Sequence, residues 1–240
     1  MKPWATGGDF SNQKMRNVDF ANAKIVGANM LNASFEGEIF GLKVNGIEVA
    51  PLIARELERR HPERKELFTT TPEGMKHAYD IVFGQLDETF ARARRLTEAQ
   101  RNERVDEEWS VVETVRHLVF AVDAWILRVV LGRDDPFDPI ALPPSFLPPT
   151  GPGMSCDPGA SPTFEEAVDV WKGREQIIRE VLDGLTPEEL DREIVTKGDG
   201  YPPGGHKTQV IGPLWTILEE SWWHNRFMNR DMDTIEGASS

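Results

Sequence analysis

The apolar positions of this chain follow two different rhythms. From Phe10 an apolar residue returns at every fifth position, at Phe10, Met15, Phe20, Ile25, Met30 and Phe35, with Gly8, Gln13, Val18, Ala23, Ala28 and Ala33, mostly small, standing two places earlier. That period fits neither a helix nor a flat strand, so neither element can bury the six positions on one side. From Pro72 onward the spacing becomes the three-four alternation of helices packed in a bundle. Met75, Tyr79, Val82, Leu86, Thr89, Ala93 and Leu96 make one seam, and Val111, Val115, Leu118, Val122, Trp125 and Val129 a second. A third helix is predicted from about Thr163 to Leu185 and a fourth within Gln209–Asp231. Helical projection of the fourth puts Leu214, Ile217, Leu218, Ser221, Asn225 and Met228 on its buried face.

Punctuation residues agree with these elements. Thr71 is placed to cap the first bundle helix with Pro72 at its first position, Ser110 and Glu113 make a capping box for the second, and Gly132 ends it. Residues 51 to 64 read as a separate helical segment that starts at Pro51 and is closed by Pro62. Lys43-Val44 and Ile47-Glu48 flank Asn45-Gly46, a turn signal between two short strand pieces. Residues 133 to 162 are too rich in Pro and Gly for helix or central strand, and a loop of that length in a compact domain is usually a lid or binding loop. A second loop, Lys197 to His206, leads into the last helix.

The five-residue rhythm resembles the pentapeptide-repeat family over about residues 6 to 40. That resemblance implies a right-handed β-coil, one repeat per side, with the large residue pointing inward. Six repeats make one and a half coils, and repeat architectures complete their core only against stacked neighbours. The expected organisation is a pentapeptide-like coil and cap over 1–50, a helical linker over 51–71, and a four-helix bundle over 72–240.

Charge narrows the function classes. The chain carries a formal net charge of −13, with 27 Lys and Arg against 40 Asp and Glu. Residues 1 to 50 are balanced, holding Lys2, Lys14, Arg16, Lys24 and Lys43 against Asp9, Asp19, Glu36, Glu38 and Glu48, so the acidity lies beyond them. No basic cluster exists to neutralise phosphates, which argues against nucleic acid as a partner. The neutral coil also argues against the DNA mimicry known in some pentapeptide proteins and leaves a structural cap or a homodimer contact. No apolar run is long enough for a membrane span, no apolar leader follows Lys2, and Cys156 is the single cysteine, so a cytoplasmic location is expected.

The candidate chemistry lies on two helices. Glu220 and His224, four residues apart, share one helix face at the edge of the buried stripe, where two side chains can grip one metal ion. His117 stands beside the second apolar seam. The plainer explanations are a core histidine for His117 and a salt bridge from Glu220 to an arginine such as Arg226. Cys156 has no histidine or basic residue near it in sequence to activate its thiol and reads as incidental. His77 and His61 read as surface residues, and His206 as a candidate substrate contact.

Together, Trp109-Ser-Val-Val-Glu-Thr-Val-Arg-His-Leu118 and Glu219-Glu-Ser-Trp-Trp-His-Asn-Arg-Phe227 resemble the DinB-like (YfiT-like) metalloprotein superfamily, over about residues 70 to 233. The resemblance implies an up-down-down-up bundle, mainly α, with a long crossover between helices two and three. It implies a metal, often zinc or nickel, held by a histidine on helix two and an H-x-x-x-H pair on helix four. Carried over residue by residue, His117 and His224 are ligands and Glu220 stands in a histidine's place. The resulting set of two imidazoles and a carboxylate suits zinc, nickel or iron. Relatives of known activity use the metal to activate a low-molecular-weight thiol that attacks an electrophile or isomerises a double bond. The implied function is therefore a metal-dependent thiol S-transferase or isomerase acting on a small molecule. The alternative is a non-catalytic metal-binding or stress-response protein with the bundle as scaffold and the first segment as partner surface.

Overall fold

Four long-range ion pairs and one hydrogen bond show how the helices run. In the computed structural model, which describes residues 7–15, 18–148 and 150–238, the bundle consists of α1 (Pro72–Ala93), α2 (Val111–Val122, continued by a π-helical stretch Asp123–Val130), α3 (Phe164–Asp183) and α4 (Ile211–Ala238). Arg94 at the end of α1 pairs with Glu165 at the start of α3, and Lys76 at the start of α1 with Asp183 at the end of α3, so these two helices are antiparallel. Arg230 near the end of α4 pairs with Glu108 just before α2, which makes α2 and α4 antiparallel as well. Tyr79 and Leu214 near the two starts, and Arg92 and Asp233 near the two ends, place α1 parallel to α4. The course is up-down-down-up, and the long 133–162 segment is the crossover between the parallel pair α2 and α3.

The seams read from the sequence form the core. Every residue of the first, from Met75 to Leu96, is buried, and so are the six positions projected on the inner face of α4. α2 is more enclosed than one stripe requires, because α3 and α4 both pack on it; from Val111 to Val122 only Glu113 escapes full burial. The capping box of Ser110 and Glu113 and the cap of Thr71 on Gly74 form as the sequence predicts. Gly132, at a φ of 66°, ends the helix where only glycine is unstrained. Aromatic rings fill the middle of the bundle: Phe83 lies 5.3 Å from Tyr79 and 6.1 Å from Trp171, ring centre to ring centre.

The chain divides into two compact units, Met1–Ala50 and Pro51–Ser240. In the second, the stretch expected as a linker is a helix, Ala50–Arg60, followed by a 3-10 helix, Pro62–Phe68, whose Leu67 joins the bundle core. His61, read as a surface residue, is half-buried edge-on against Trp222, because this stretch folds onto α4. His77 is exposed as expected.

In the first unit the five-residue sequence rhythm becomes a ten-residue rhythm of turns. Gln13, Ala23 and Ala33 donate to the carbonyls of Phe10, Phe20 and Met30. Asn12, Asn22 and Asn32 occupy the left-handed region, which asparagine tolerates, at φ of 59°, 60° and 59°. Two expectations fail here. The six large residues do not point into a closed core, since they are 48 to 68% exposed, and no strand ladder forms among the described residues of 7–40. One and a half turns of coil give an inner residue no layer to pack on. Among the described residues of this unit the only strand pairing is Lys43–Val44 with Ile47–Glu48, around the predicted Asn45-Gly46 turn.

No helix among the described residues is long and apolar enough to cross a membrane. Replacing Phe83 by Ala should lower unfolding stability by about 3–5 kcal/mol in urea titration. A loss under about 1 kcal/mol would contradict a close-packed aromatic centre.

Candidate metal centre

Antiparallel packing of α2 on α4 brings the three sequence-predicted residues to one point. The His117 Nε2 is 3.5 Å, and the His224 Nε2 3.1 Å, from the same Glu220 carboxylate oxygen. One donor atom from each of the three lies within 4.8 Å of the others, a grouping able to hold a metal ion. Tetrahedral coordination with bonds of roughly 2.0–2.1 Å sets donor atoms about 3.3 Å apart, so the separations to Glu220 fit one ion touching all three.

Each side chain is placed by a separate feature. His117 Nδ1 lies 3.0 Å from the Leu142 carbonyl oxygen. A carbonyl only accepts, so Nδ1 carries the hydrogen and the remaining lone pair of a neutral ring is on Nε2, facing Glu220. Trp109, just before the Ser110 cap, covers the imidazoles, with ring centres 4.3 Å from His117 and 5.9 Å from His224. The side chains of His117, His224 and Glu220 retain 9, 14 and 35% exposure, so the group is packed on one side and reachable at the carboxylate.

Burial raises the cost of ionising Glu220, but hydrogen bonds from His117 and His224 outweigh it and hold the carboxyl well below its usual range. His224 is pushed down by burial, against the pull of Glu220, which favours its neutral, ligand-competent form. Where the Nε2 atoms carry a hydrogen they donate to Glu220, and where they do not, an anionic carboxylate faces imidazole lone pairs, an arrangement that calls for a cation in the hydrogens' place. Glu220 makes no ion pair with Arg226, which packs over Trp222 and against His61 instead.

The match to the family model described as the DinB superfamily spans residues 54–228, well over half the chain. The chain belongs to the DinB superfamily. Members of the DinB superfamily typically bind metal, and this bundle has a His/Glu group in position to do so. Neither the comparison with curated proteins nor that with solved structures returns a match.

Both loops around this DinB centre contribute to its surroundings. The crossover supplies the Leu142 carbonyl and Phe146, and the 197–206 loop supplies Tyr201. The Tyr201 ring stacks 6.2 Å from Phe120 and lies 6.4 Å from Phe146. Burial, reinforced by the charge of Glu220, raises its pKa, which places the phenol within electrostatic reach of the carboxylate. Arg128, buried under the loop, holds it by donating to the carbonyls of Lys197, Gly198 and Pro202. Gly153 and Gly200 let the two loops meet backbone to backbone; a Cβ on Gly153 would lie 2.1 Å from the Asp199 carbonyl oxygen.

His206 does not join the donor group. Its ring sits edge-on to Trp125 at 5.6 Å, at the base of the short hairpin Glu193–Val195 with Lys207–Gln209. A cleft of about 580 Å³ between α1 and α4, lined by His61, Arg92 and Arg226 among others, also excludes the three donor residues.

Sequence reasoning missed Tyr201 and the Leu142 carbonyl. Tyr201 is one of two tyrosines in the chain and the only one outside a helical seam, a signal that was available. A backbone carbonyl leaves no such trace.

Cys156 is buried, and its burial, with Asp123 nearby, pushes the thiol up to about 12. In the folded protein at pH 8 roughly one thiol in ten thousand should be ionised. Labelling by a disulfide reagent should therefore be near zero in native protein and about one per chain after unfolding. Rapid labelling of the native protein would contradict this placement.

Proposed function

We propose that the protein is a metal-dependent enzyme acting on a small molecule, of the thiol S-transferase or isomerase type. The observation that supports this reading is the convergence of His117, Glu220 and His224 at one point, with the rings of Phe120, Tyr201 and Phe146 in a row beside it. Two imidazoles and one carboxylate would hold zinc, nickel or iron and leave coordination positions for a ligand. A metal there supplies the positive charge that favours the deprotonated form of a thiol or water at neutral pH.

The chain's own residues divide the remaining work. Glu220 stays ionised and offsets part of the ion's charge, and Leu142 keeps the His117 lone pair aimed at the centre. Trp109 shields the imidazoles. The Tyr201 hydroxyl, which has no hydrogen-bond partner among the described residues, donates to the bound small molecule and orients it. His206 stands behind Trp125 and contacts substrate only at the outer edge.

A second reading is a non-catalytic metal-binding protein that uses the apolar residues of 10–35 as a partner or homodimer surface; their exposure favours it. Both readings hold a metal, and only the first requires a small-molecule mouth.

Protein purified without chelator or nickel resin should carry about one ion per chain, and His117→Ala should lose it. Less than about 0.2 ion per chain in the unaltered protein, with no further loss in the variant, would overturn the metal reading. In cobalt-substituted protein, 2-mercaptoethanol should bind with a sulfur charge-transfer band, and Tyr201→Phe should weaken binding on the order of tenfold, the worth of one hydrogen bond. Cobalt uptake without thiol binding would favour the non-catalytic reading.

A further inference from the structure

The most deeply buried carboxylate of the bundle has no part in the proposed function. Asp123, fully buried where α2 widens into its π-helical stretch, receives the Arg174 guanidinium of α3 at 2.6 Å. The same guanidinium reaches Asp138 of the crossover at 3.2 Å. Asp123 also accepts from the Asp138 backbone N–H at 2.8 Å, so one carboxylate and one guanidinium grip the loop at a single residue.

From Asp138 a chain of hydrogen bonds runs to the metal centre. The Asp138 carboxylate accepts from the Ile140 N–H at 3.1 Å, and its carbonyl accepts from the Ala141 N–H at 2.9 Å. Arg116, next to His117 on α2, donates its Nε to the Ile140 carbonyl at 2.7 Å, and its own carbonyl accepts from the Leu142 N–H at 3.1 Å. The Leu142 carbonyl then accepts from His117 Nδ1. Residues 138 to 142 are thus pinned at both ends, and the last pinned atom sets the histidine.

We propose that Asp123, Arg174 and Asp138 are positioning residues for the metal centre: they fix the 138–142 turn so that the Leu142 carbonyl holds His117 in its Nδ1–H form with Nε2 directed at Glu220. This rests on the metal reading above for its functional meaning, but its geometry can be tested without metal. Burying charge here is costly; burial pushes Asp123 up to about 6 even with Arg174 beside it. An apolar contact of similar volume would often be no less stable. A directional ion cluster does what an apolar contact cannot, because it accepts a backbone N–H and sets the turn's register along the helix. Outer contacts of this kind typically change metal affinity by about 10- to 100-fold when lost.

The test compares Arg174→Met with Arg179→Met, which removes ion pairs to Asp80 and Glu175 from the same helix without touching the turn. In metal-free, nitrogen-15-labelled protein, the His117 Nδ1–H signal should be resolved and protected in the unaltered chain and in Arg179→Met. It should be lost to exchange in Arg174→Met and restored at least in part in Arg174→Lys. Zinc affinity, measured against a chromophoric chelator, should fall by at least about tenfold in Arg174→Met and hold in Arg179→Met. If Arg174→Met does not fold, Asp138→Asn removes the half-exposed member and should give the same loss of protection to a smaller extent.

A protected His117 signal that persists in Arg174→Met and Asp138→Asn, or one absent from the unaltered chain, would overturn the proposal. Loss of the signal in Arg174→Met, with no zinc bound by the unaltered chain, would support the brace and overturn the metal reading.

Discussion

The site depends on an electrostatic conflict: an ionised carboxylate faced by two imidazole nitrogens, with little water to separate them. Left alone, Glu220 and the lone pairs of His117 and His224 repel one another, and burial magnifies the repulsion. The arrangement becomes favourable when a cation sits among them. Protons can fill that role, and the hydrogen bonds that hold Glu220 ionised describe that filling. A divalent ion fills it with more charge and with bond lengths that match the donor spacing.

The bundle makes this conflict affordable by rigid placement. α2 and α4 are antiparallel neighbours, so a residue two turns into α2 meets residues near the middle of α4. The crossover, forced by the parallel course of α2 and α3, returns past the same point and contributes the Leu142 carbonyl. Arg128 and the close approach of Gly153 to Gly200 hold the second loop against the first. Up-down-down-up topology thus brings a helix pair and two loops together at one place, and Tyr201 is carried there by the second loop.

Much of this was legible in the sequence, for reasons that differ by element. The seam Met75 to Leu96 and the inner face of α4 repeat at helical spacing, and packing followed the pattern closely. His117 and the Glu220–His224 pair could be placed because four-residue spacing on a helix fixes a shared face. What remained hidden was long-range or made of backbone. No spacing shows that Asp123 meets Arg174, since their contact depends on how α2 sits against α3. The six apolar residues of the first unit recur every five positions, half the ten-residue repeat of the turns that form, and they stay exposed because only stacked layers would bury them. His61 was misread because the short helix after it folds back on α4, a tertiary event with no local signature.

X-ray absorption at the metal edge of zinc-loaded protein tests the central claim most directly, because it reports the atoms around the ion itself. The account predicts a first shell of nitrogen and oxygen at roughly 2.0–2.1 Å with the outer-shell scattering of two imidazoles, and no such shell in His117→Ala, which does not retain the ion. A shell of oxygen alone, a sulfur contribution from Cys156, or an imidazole count unchanged by His117→Ala would contradict it.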